Sequence, residues 1–266
     1  MKNDERYFDI ADEIFQKKEN CKYAKINKFN KNGIVINETT FLSSSNPFNK
    51  EKGTYCSFVF DNLEDEKTYN TLKRYLKKYL HRFVLELTNK EKPSILFVGL
   101  GNESYIPDSL GPKVIKQINA NYFFKKQIGC LTPGVMASTG METSDIIKGV
   151  LKTHEYDLVV VIDSLATSSI YRLNKTIQIT DTGIQPGSGV NNYRKRIDKK
   201  ELKTNVLTIG IATVISYRKI IEEYLSKNQV DLEVNFNSQL VLTSKEIEHE
   251  IDYLTLILSD VLNDII

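Results

Sequence analysis

Two aspartates stand next to strand-like apolar segments and could together carry out acid–base chemistry. Asp108 follows the apolar run of residues 94–98 and a glycine-containing turn, and Asp163 directly follows the run of residues 157–162. Hydrolysis of an amide without a covalent intermediate needs one group that activates water and another that protonates the leaving nitrogen. Two neighbouring carboxyls meet both needs, because the charge of one raises the pKa of the other and a single proton is shared. A lone aspartate at a strand end is, however, as easily explained as a turn former.

The segments around these aspartates alternate between strand and helix patterns, which indicates a mostly parallel sheet covered by helices on both faces. Strands are predicted at 94–98, 157–162, 175–180 and 205–211, and helices at 64–87, 110–118, 141–152 and 215–227, with a last helix opened by a capping box from Thr243 to Glu246. Thr143 or Ser144 is expected to cap the helix at 141–152. Because parallel strands end at one edge of a sheet, Asp108 and Asp163 should open onto the same crevice.

The N-terminal part of the chain, up to residue 63, has the least regular pattern. Short strands are predicted at 33–42 and 54–60, with a turn-rich loop between them. We expect a single α/β domain over residues 1–266, in which an irregular segment with short strands precedes a three-layer α/β core at 64–266.

Composition excludes several classes of protein. The chain has 266 residues, a formal net charge of +2 and 41% hydrophobic residues, which favours a globular protein without a nucleic-acid or membrane-surface partner. No apolar run reaches the ~18 residues that span a bilayer, and the first residues show no signal-peptide pattern. Cys21, Cys56 and Cys130 are too few and too widely spaced for a disulfide framework, which suits a reducing compartment.

Four long motifs stand between residues 94 and 215: GLGNESYIPDSLGPKV, PGVMASTGMETSDIIKGV, VIDSLATSSIYRLNKTIQITDTGIQPGSGVNNYRKR and LTIGIATVI. These motifs resemble the germination protease family, whose members degrade small acid-soluble spore proteins when bacterial spores germinate. FDIADE at residues 8–13 and LTSKE at 242–246 resemble the family more weakly. The resemblance implies a phosphorylase/hydrolase-like fold, as in hydrogenase maturation proteases, and an unusual aspartic endopeptidase.

The family's two motif aspartates fall on Asp108 and Asp163, the same pair that the strand pattern indicates. Five further residues are expected to support the site: Asn102, Glu142, Arg172, Asp181 and Ser188.

Three of these supporting residues also have simpler structural interpretations. Asp181 belongs to an Asp-Thr-Gly triplet, but pepsin-like sites use two such triplets in all-β lobes, so a turn or a supporting role is favoured over direct catalysis. Glu142 suits the first turn of a helix, where the helix dipole favours a carboxylate. Ser188 lies in Pro-Gly-Ser-Gly, which could bind an anion, although a flexible loop over the cleft is the simpler interpretation.

Two other enzyme classes stay open as alternatives. A metal-dependent maturation-type protease would need a histidine beside the aspartates, and His81, His154 and His249 are all poorly placed for this. A thiol enzyme would use Cys130, but no histidine is obviously placed to activate it. We therefore expect no metal and no other cofactor.

Three departures from the family motifs leave a catalytically degenerate, binding-only spore protein open as well. Ser168 replaces an arginine, Asn191 a glycine and Ala212 a proline.

The resemblance implies small acid-soluble spore proteins as substrates, a homo-oligomer such as a tetramer, and a place in the cytoplasm of the forespore or spore core, with no membrane or direct nucleic-acid partner. It also implies a self-processing zymogen; only seven residues precede Phe8, so any propeptide should be very short.

Overall fold

The computed structural model of the chain describes residues 9–15, 22–120, 127–190, 192, 194–230 and 240–266. Phe8 and Asn191 therefore lie outside the described residues. Within these ranges nine strands form one sheet: β1 (Ala24–Lys31), β2 (Ile34–Phe41), β3 (Gly53–Val59), β4 (Ile95–Gly99), β5 (Ile128–Leu131), β6 (Leu158–Thr167), β7 (Thr176–Thr180), β8 (Asn205–Ser216) and β9 (Val241–Leu242). They lie in the order β1-β2-β3-β7-β8-β6-β4-β5, and β9 pairs with the end of β8.

One half of the sheet is parallel, as the alternation of strands and helices predicts. It contains β5, β4, β6 and β8. The other half is antiparallel, because β7 runs against both β8 and β3, and β2 runs against β3 and β1. The sheet as a whole is thus mixed, and its parallel half holds the strands next to Asp108 and Asp163.

The N-terminal strands extend this same sheet through the pairing of β3 with β7. β2 and β3 confirm the two predicted strands, whereas β1 lies outside every predicted element. Asn32 and Gly33, both with positive φ, make the tight turn of a β1–β2 hairpin, for which Asn-Gly is a strong signal. The β1 residues are exposed at all positions but the first, so the alternation that marks a half-buried strand is missing.

Helices cover both faces of the sheet. Seven α-helices lie in the described residues: α1 (Glu66–Thr88), α2 (Leu110–Ile115), α3 (Met136–Thr139), α4 (Thr143–Thr153), α5 (Lys199–Leu202), α6 (Tyr217–Lys227) and α7 (Ile247–Asp264). α1, α2 and α7 pack on the face that carries Ile95 and Phe97, while α4 and α5 pack on the face that carries Leu96 and Val98. Each such fully buried side chain contributes about 1.5–3 kcal/mol, so the three layers form a stable support for the strand ends. None of the described helices is both long and apolar enough to cross a bilayer.

Two predicted helix caps are wrong. α4 begins at Thr143 with Glu142 in the N-cap position, and the Glu142 side chain makes no capping hydrogen bond. α7 begins at Ile247, and its N-cap residue Glu246 likewise makes none. The hydroxyl of Thr243 donates instead to the carbonyl of Thr213 in β8, at 2.7 Å, because this stretch of chain packs back on the sheet.

Candidate active site

Asp108 is held above the end of β4 by a tight return of the chain. After β4 the chain forms a loop and a short 3-10 turn, Ile106–Asp108, and then enters α2. The backbone N–H of Asn102 donates to Oδ2 of Asp108 at 2.8 Å. Gly101, with φ of 113°, permits this return, because a Cβ there would lie 2.0 Å from the Asp108 carbonyl oxygen.

Asp163 lies inside β6 rather than after it. The predicted strand ends at residue 162, but β6 continues to Thr167 because β8 also continues and pairs with it. Asp163 is opposite Gly210 of β8 and is only 7% exposed. Asp163 therefore lies in a strand that is paired with β8 on one side, one residue beyond the end of its pairing with β4.

A cavity of about 440 Å³ joins the two aspartates at the carboxyl ends of β4 and β6, and Asp108 and Asp163 both line it. The other polar lining residues include Asp9, Glu142, Ser188 and Arg194. Its wall also has apolar parts, among them Tyr105 and Val135. The space is large enough for a peptide segment, and the apolar wall lowers the exposure of the two carboxyls to water.

The two carboxyls differ in acidity. Burial raises the pKa of Asp108 to about 6, although the hydrogen bond from the Asn102 N–H opposes this shift. Burial raises the pKa of Asp163 further, to well above its ordinary value, and the negative charge of Asp108 adds to the shift, as does that of Asp9. Asp108 is therefore the more acidic of the two carboxyls, which suits it to act as the base and Asp163 to act as the acid.

Two of the expected supporting residues line the cavity, and a third acts through its backbone. Ser188 lines the wall and donates its hydroxyl to Asp9 at 3.1 Å. Glu142 also lines the wall, and its carboxylate accepts the Lys195 N–H at 3.4 Å. Asn102 contacts Asp108 with its backbone N–H, while its side chain accepts the N–H of Ser104.

Asp181 and Arg172 do not line the cavity. Asp181 follows β7, which is antiparallel to β8, so the chain there runs away from the edge that carries Asp163. Its carboxylate accepts the N–H of Thr54 at 2.8 Å and ties β3 to β7. The guanidinium of Arg172 donates to Asp12 at 3.0 Å, and both side chains of this pair are largely buried.

The histidines that a metal-dependent protease would need and the cysteine that a thiol enzyme would use are not among the residues that line the cavity. His81 pairs with Glu91, His249 pairs with Glu64, and His154 follows the end of α4. Burial raises the pKa of the Cys130 thiol, the opposite of what a nucleophilic thiolate needs. Among the described residues, no three or more His, Cys, Asp or Glu side chains come together as a metal-binding group.

Asp9 is a site residue that sequence reasoning missed. Its carboxylate accepts the N–H of Ala166 in β6 at 2.9 Å, and it lines the same cavity as the aspartate pair. Glu13, one turn later, accepts the N–H of Ser168 at 2.9 Å. The segment FDIADE combines three acidic with three apolar residues, which was the available signal, but nothing local in it shows that it packs on β6.

The sequence motifs that shape this cavity are those of a known protein family. Residues 4–228 match the family model described as germination protease. The chain belongs to the germination protease family. This match covers all of the described residues that line the cavity except Val241.

Curated members of the family support the same assignment. The chain is 38% identical over 197 residues to the germination protease of Bacillus cytotoxicus. The aligned region covers 69% of this chain and 54% of that protein. It is 37% identical over 197 residues to the germination protease of Bacillus mycoides, with the same shares. The chain thus spans about half the length of the curated relatives it matches.

Among solved structures, the chain is similar to a [NiFe] hydrogenase maturation protease from Thermococcus kodakarensis. The TM-score is 0.41 and the sequence identity is 17%, over 67% of this chain and 98% of that one.

Proposed function

We propose that this chain is an endopeptidase in which Asp108 and Asp163 hydrolyse a peptide bond as an acid–base pair. The observation that carries the proposal is that one cavity holds two carboxyls of unequal acidity, with the pKa of Asp108 at about 6 and that of Asp163 well above its ordinary value. Small acid-soluble spore proteins are the proposed substrates, because the chain belongs to the germination protease family and the resemblance to that family implies them.

Each carboxyl has one role in this mechanism. The ionised Asp108 accepts a proton from water as the water oxygen bonds to the amide carbon. Asp163 then donates its proton to the leaving nitrogen as the C–N bond breaks. This leaves Asp108 protonated and Asp163 ionised, and transfer of one proton between them through solvent restores the starting state.

Further parts of the proposal come from the family alone. The chain works in the cytoplasm of the forespore or spore core, and it self-associates as a homo-oligomer. Light scattering of the purified protein measures this association, and a mass equal to one chain at micromolar concentration would contradict it.

The proposed function is tested by incubating purified protein with a small acid-soluble spore protein and identifying fragments by mass spectrometry. Asp108→Asn and Asp163→Asn keep the shape of each side chain but remove its titrating proton, so each should lower the cleavage rate by at least about a hundredfold. The double variant should be little worse than either single one, because the two groups act as a unit.

Asp181→Asn is the matched control, since it makes the same change at an aspartate outside the cavity lining. It should keep cleavage within a few-fold of the wild type. A folded Asp163→Asn protein that cuts at the wild-type rate contradicts the mechanism. Binding of the spore protein by the wild type without any fragment would show a degenerate, binding-only family member.

A further inference from the structure

Asp9 is fixed in place from several sides. Its carboxylate accepts the N–H of Ala166 at 2.9 Å through one oxygen and the hydroxyl of Ser188 at 3.1 Å through the other. Its backbone carbonyl accepts Nζ of Lys50 at 3.2 Å and the side-chain amide of Gln178 at 3.0 Å. The segment that carries Asp9 is thus bound to β6, to β7 and to the two loops that hold Lys50 and Ser188.

The carboxylate of Asp9 occupies a space that excludes other side chains. A Cβ on Gly189 would lie 2.0 Å from Oδ2 of Asp9, so only glycine fits there. Asp9 also lines a second, smaller cavity of about 40 Å³, and Lys50 and Arg196 are among the other residues that line it. It therefore stands between the large cavity with the aspartate pair and a small polar space behind it.

The charge of Asp9 acts on Asp163. Burial is the main cause of the raised pKa of Asp163, but the charge of Asp9 adds to that of Asp108. Burial raises the pKa of Asp9 itself, whereas the Ala166 N–H, Lys50 and the Ser188 hydroxyl all favour its ionised form. Lys50 stays largely protonated at neutral pH, because burial lowers its pKa only to about 8.

The other charged groups near Asp9 have hydrogen-bond partners of their own. Asp12 binds Arg172, and Glu13 accepts hydrogen bonds from Thr167 and Ser168. Arg196 donates to Asp198 at 2.8 Å. Titration of Asp9 therefore acts on Asp163 and Lys50 more directly than on any other charged group it faces.

We propose that Asp9 is a positioning residue of the aspartate pair: it fixes the Ser188 loop and the Ala166 backbone at the cavity wall and places its own carboxyl in the same cavity as Asp163. The proposal rests on the function proposed above. Asp9 does not exchange protons with the substrate. It acts through the strand and loop that it joins and through its field at Asp163.

Asp9→Asn separates the charge from the hydrogen bonds. The asparagine oxygen can accept the Ala166 N–H, and its NH₂ can donate to the Ser188 oxygen after the hydroxyl turns, so both contacts persist without the charge. Since the loss of a neighbouring negative charge lowers the pKa of Asp163, the basic limb of the kcat/KM profile against pH should move down by at least about half a pH unit. Asp9→Ala removes both contacts and should lower kcat at least about tenfold.

Asp12→Asn is the matched control on the same segment, because Asp12 binds Arg172 and does not line the cavity. Asp12→Asn should lower the Tm but leave the basic limb of the kcat/KM profile against pH in place. A purely structural role for Asp9 predicts that Asp9→Asn lowers the Tm without shifting either limb of this pH profile. A folded Asp9→Asn protein with an unshifted pH profile overturns the proposal.

A direct titration keeps this test independent of activity. With ¹³C-labelled aspartate carboxyls, the NMR titration midpoint of Asp163 should be lower in Asp9→Asn than in the wild type, while an equal midpoint overturns the proposal. If Asp108→Asn or Asp163→Asn still cleaves at the wild-type rate, the proposed protease mechanism fails, and the NMR midpoints still decide the effect of Asp9.

Discussion

The Asp108 carboxyl is costly to ionise, since it is largely buried and receives a single backbone hydrogen bond from Asn102. Its pKa is about 6 in the folded chain and close to its ordinary value of 3.8 when unfolded. Below the unfolded value both states hold the proton, and folding stability carries no penalty. As pH rises through about 6 the folded state must ionise a buried group, and stability is lost.

Replacing this carboxyl should therefore make the protein more stable at neutral pH. Asp108→Asn is expected to raise the free energy of unfolding by about 2–3 kcal/mol at pH 7, with the gain disappearing as pH falls towards 4. Urea denaturation at a series of pH values measures this. A destabilised variant at pH 7 would show that the Asn102 contact outweighs the cost of burial.

Asp157→Asn is a control for which the expected change in the free energy of unfolding has the opposite sign. Burial acts to raise the pKa of Asp157, but hydrogen bonds from Lys90 and Ser94 outweigh it, and the pKa is lowered. The ionised Asp157 therefore stabilises the fold above its ordinary pKa, and this contribution is lost as pH falls through the lowered one. Its replacement should destabilise the protein at pH 7 and have little effect in acid.

At the scale of elements, the position of Asp108 depends on how closely α2 approaches β4. Gly99 of β4 and Gly111 of α2 lie against each other, since a Cβ on Gly99 would come within 2.3 Å of the Gly111 carbonyl oxygen. A Cβ on Gly111 would lie 2.3 Å from the carbonyl oxygen of Leu100 and 2.8 Å from that of Ile162. Backbone atoms cannot give way as a flexible side chain can, so α2 has to move if a methyl group is added.

Gly111→Ala should thus displace the turn that carries Asp108. We expect a loss of about 1–3 kcal/mol in the free energy of unfolding, as is typical of overpacking, and a fall in cleavage larger than the fall in folded fraction. Thermal melts and cleavage assays on the same sample measure both.

Gly149→Ala is the control for this change. Gly149 lies in α4 with no atom within 4 Å of an added Cβ, so alanine should stabilise the helix by about 0.5–1 kcal/mol and leave cleavage unchanged. A Gly111→Ala protein that behaves like this control would show that α2 can shift without moving Asp108.

For the whole molecule, the chemistry of the cavity predicts independence from transition metals. The carboxyls that line the cavity, Asp9, Asp108, Glu142 and Asp163, offer only oxygen donors, and burial is the main cause of the raised pKa values of three of them, Asp9, Asp108 and Asp163. Zinc and nickel favour sites with imidazole or thiolate, and no histidine or cysteine is among the described residues that line the cavity.

Cleavage should accordingly survive dialysis against a strong chelator with less than about a twofold loss. Elemental analysis of the purified, active protein should show no stoichiometric nickel or zinc. Chelator-sensitive cleavage that returns when one of these metals is added would favour the maturation-type mechanism instead.

Much of the fold was predictable because its signals are local. The β-branched run before Asp163 and the three- and four-residue spacing of apolar residues in α1 and α7 directly mark buried strands and amphipathic helices. Since parallel strands end at a common edge, the same patterns place Asp108 and Asp163 together without knowledge of the sheet order. The family motifs pointed to the same two residues.

Only the tertiary structure decided which other residues join them. Asp181 was expected near the pair, but β7 is antiparallel to β8, so Asp181 lies away from that edge of the sheet. The direction of a strand within its sheet cannot be predicted from the residues of that strand alone. Asp9 joins the cavity through a contact with Ala166, which is 157 residues away in the chain. Periodicity and capping report on neighbours within a few residues, whereas such contacts depend on how whole elements pack. The sequence by itself thus determined the strands and the common edge of the sheet at which Asp108 and Asp163 lie, and the packing of the N-terminal segment on β6 decided what surrounds them.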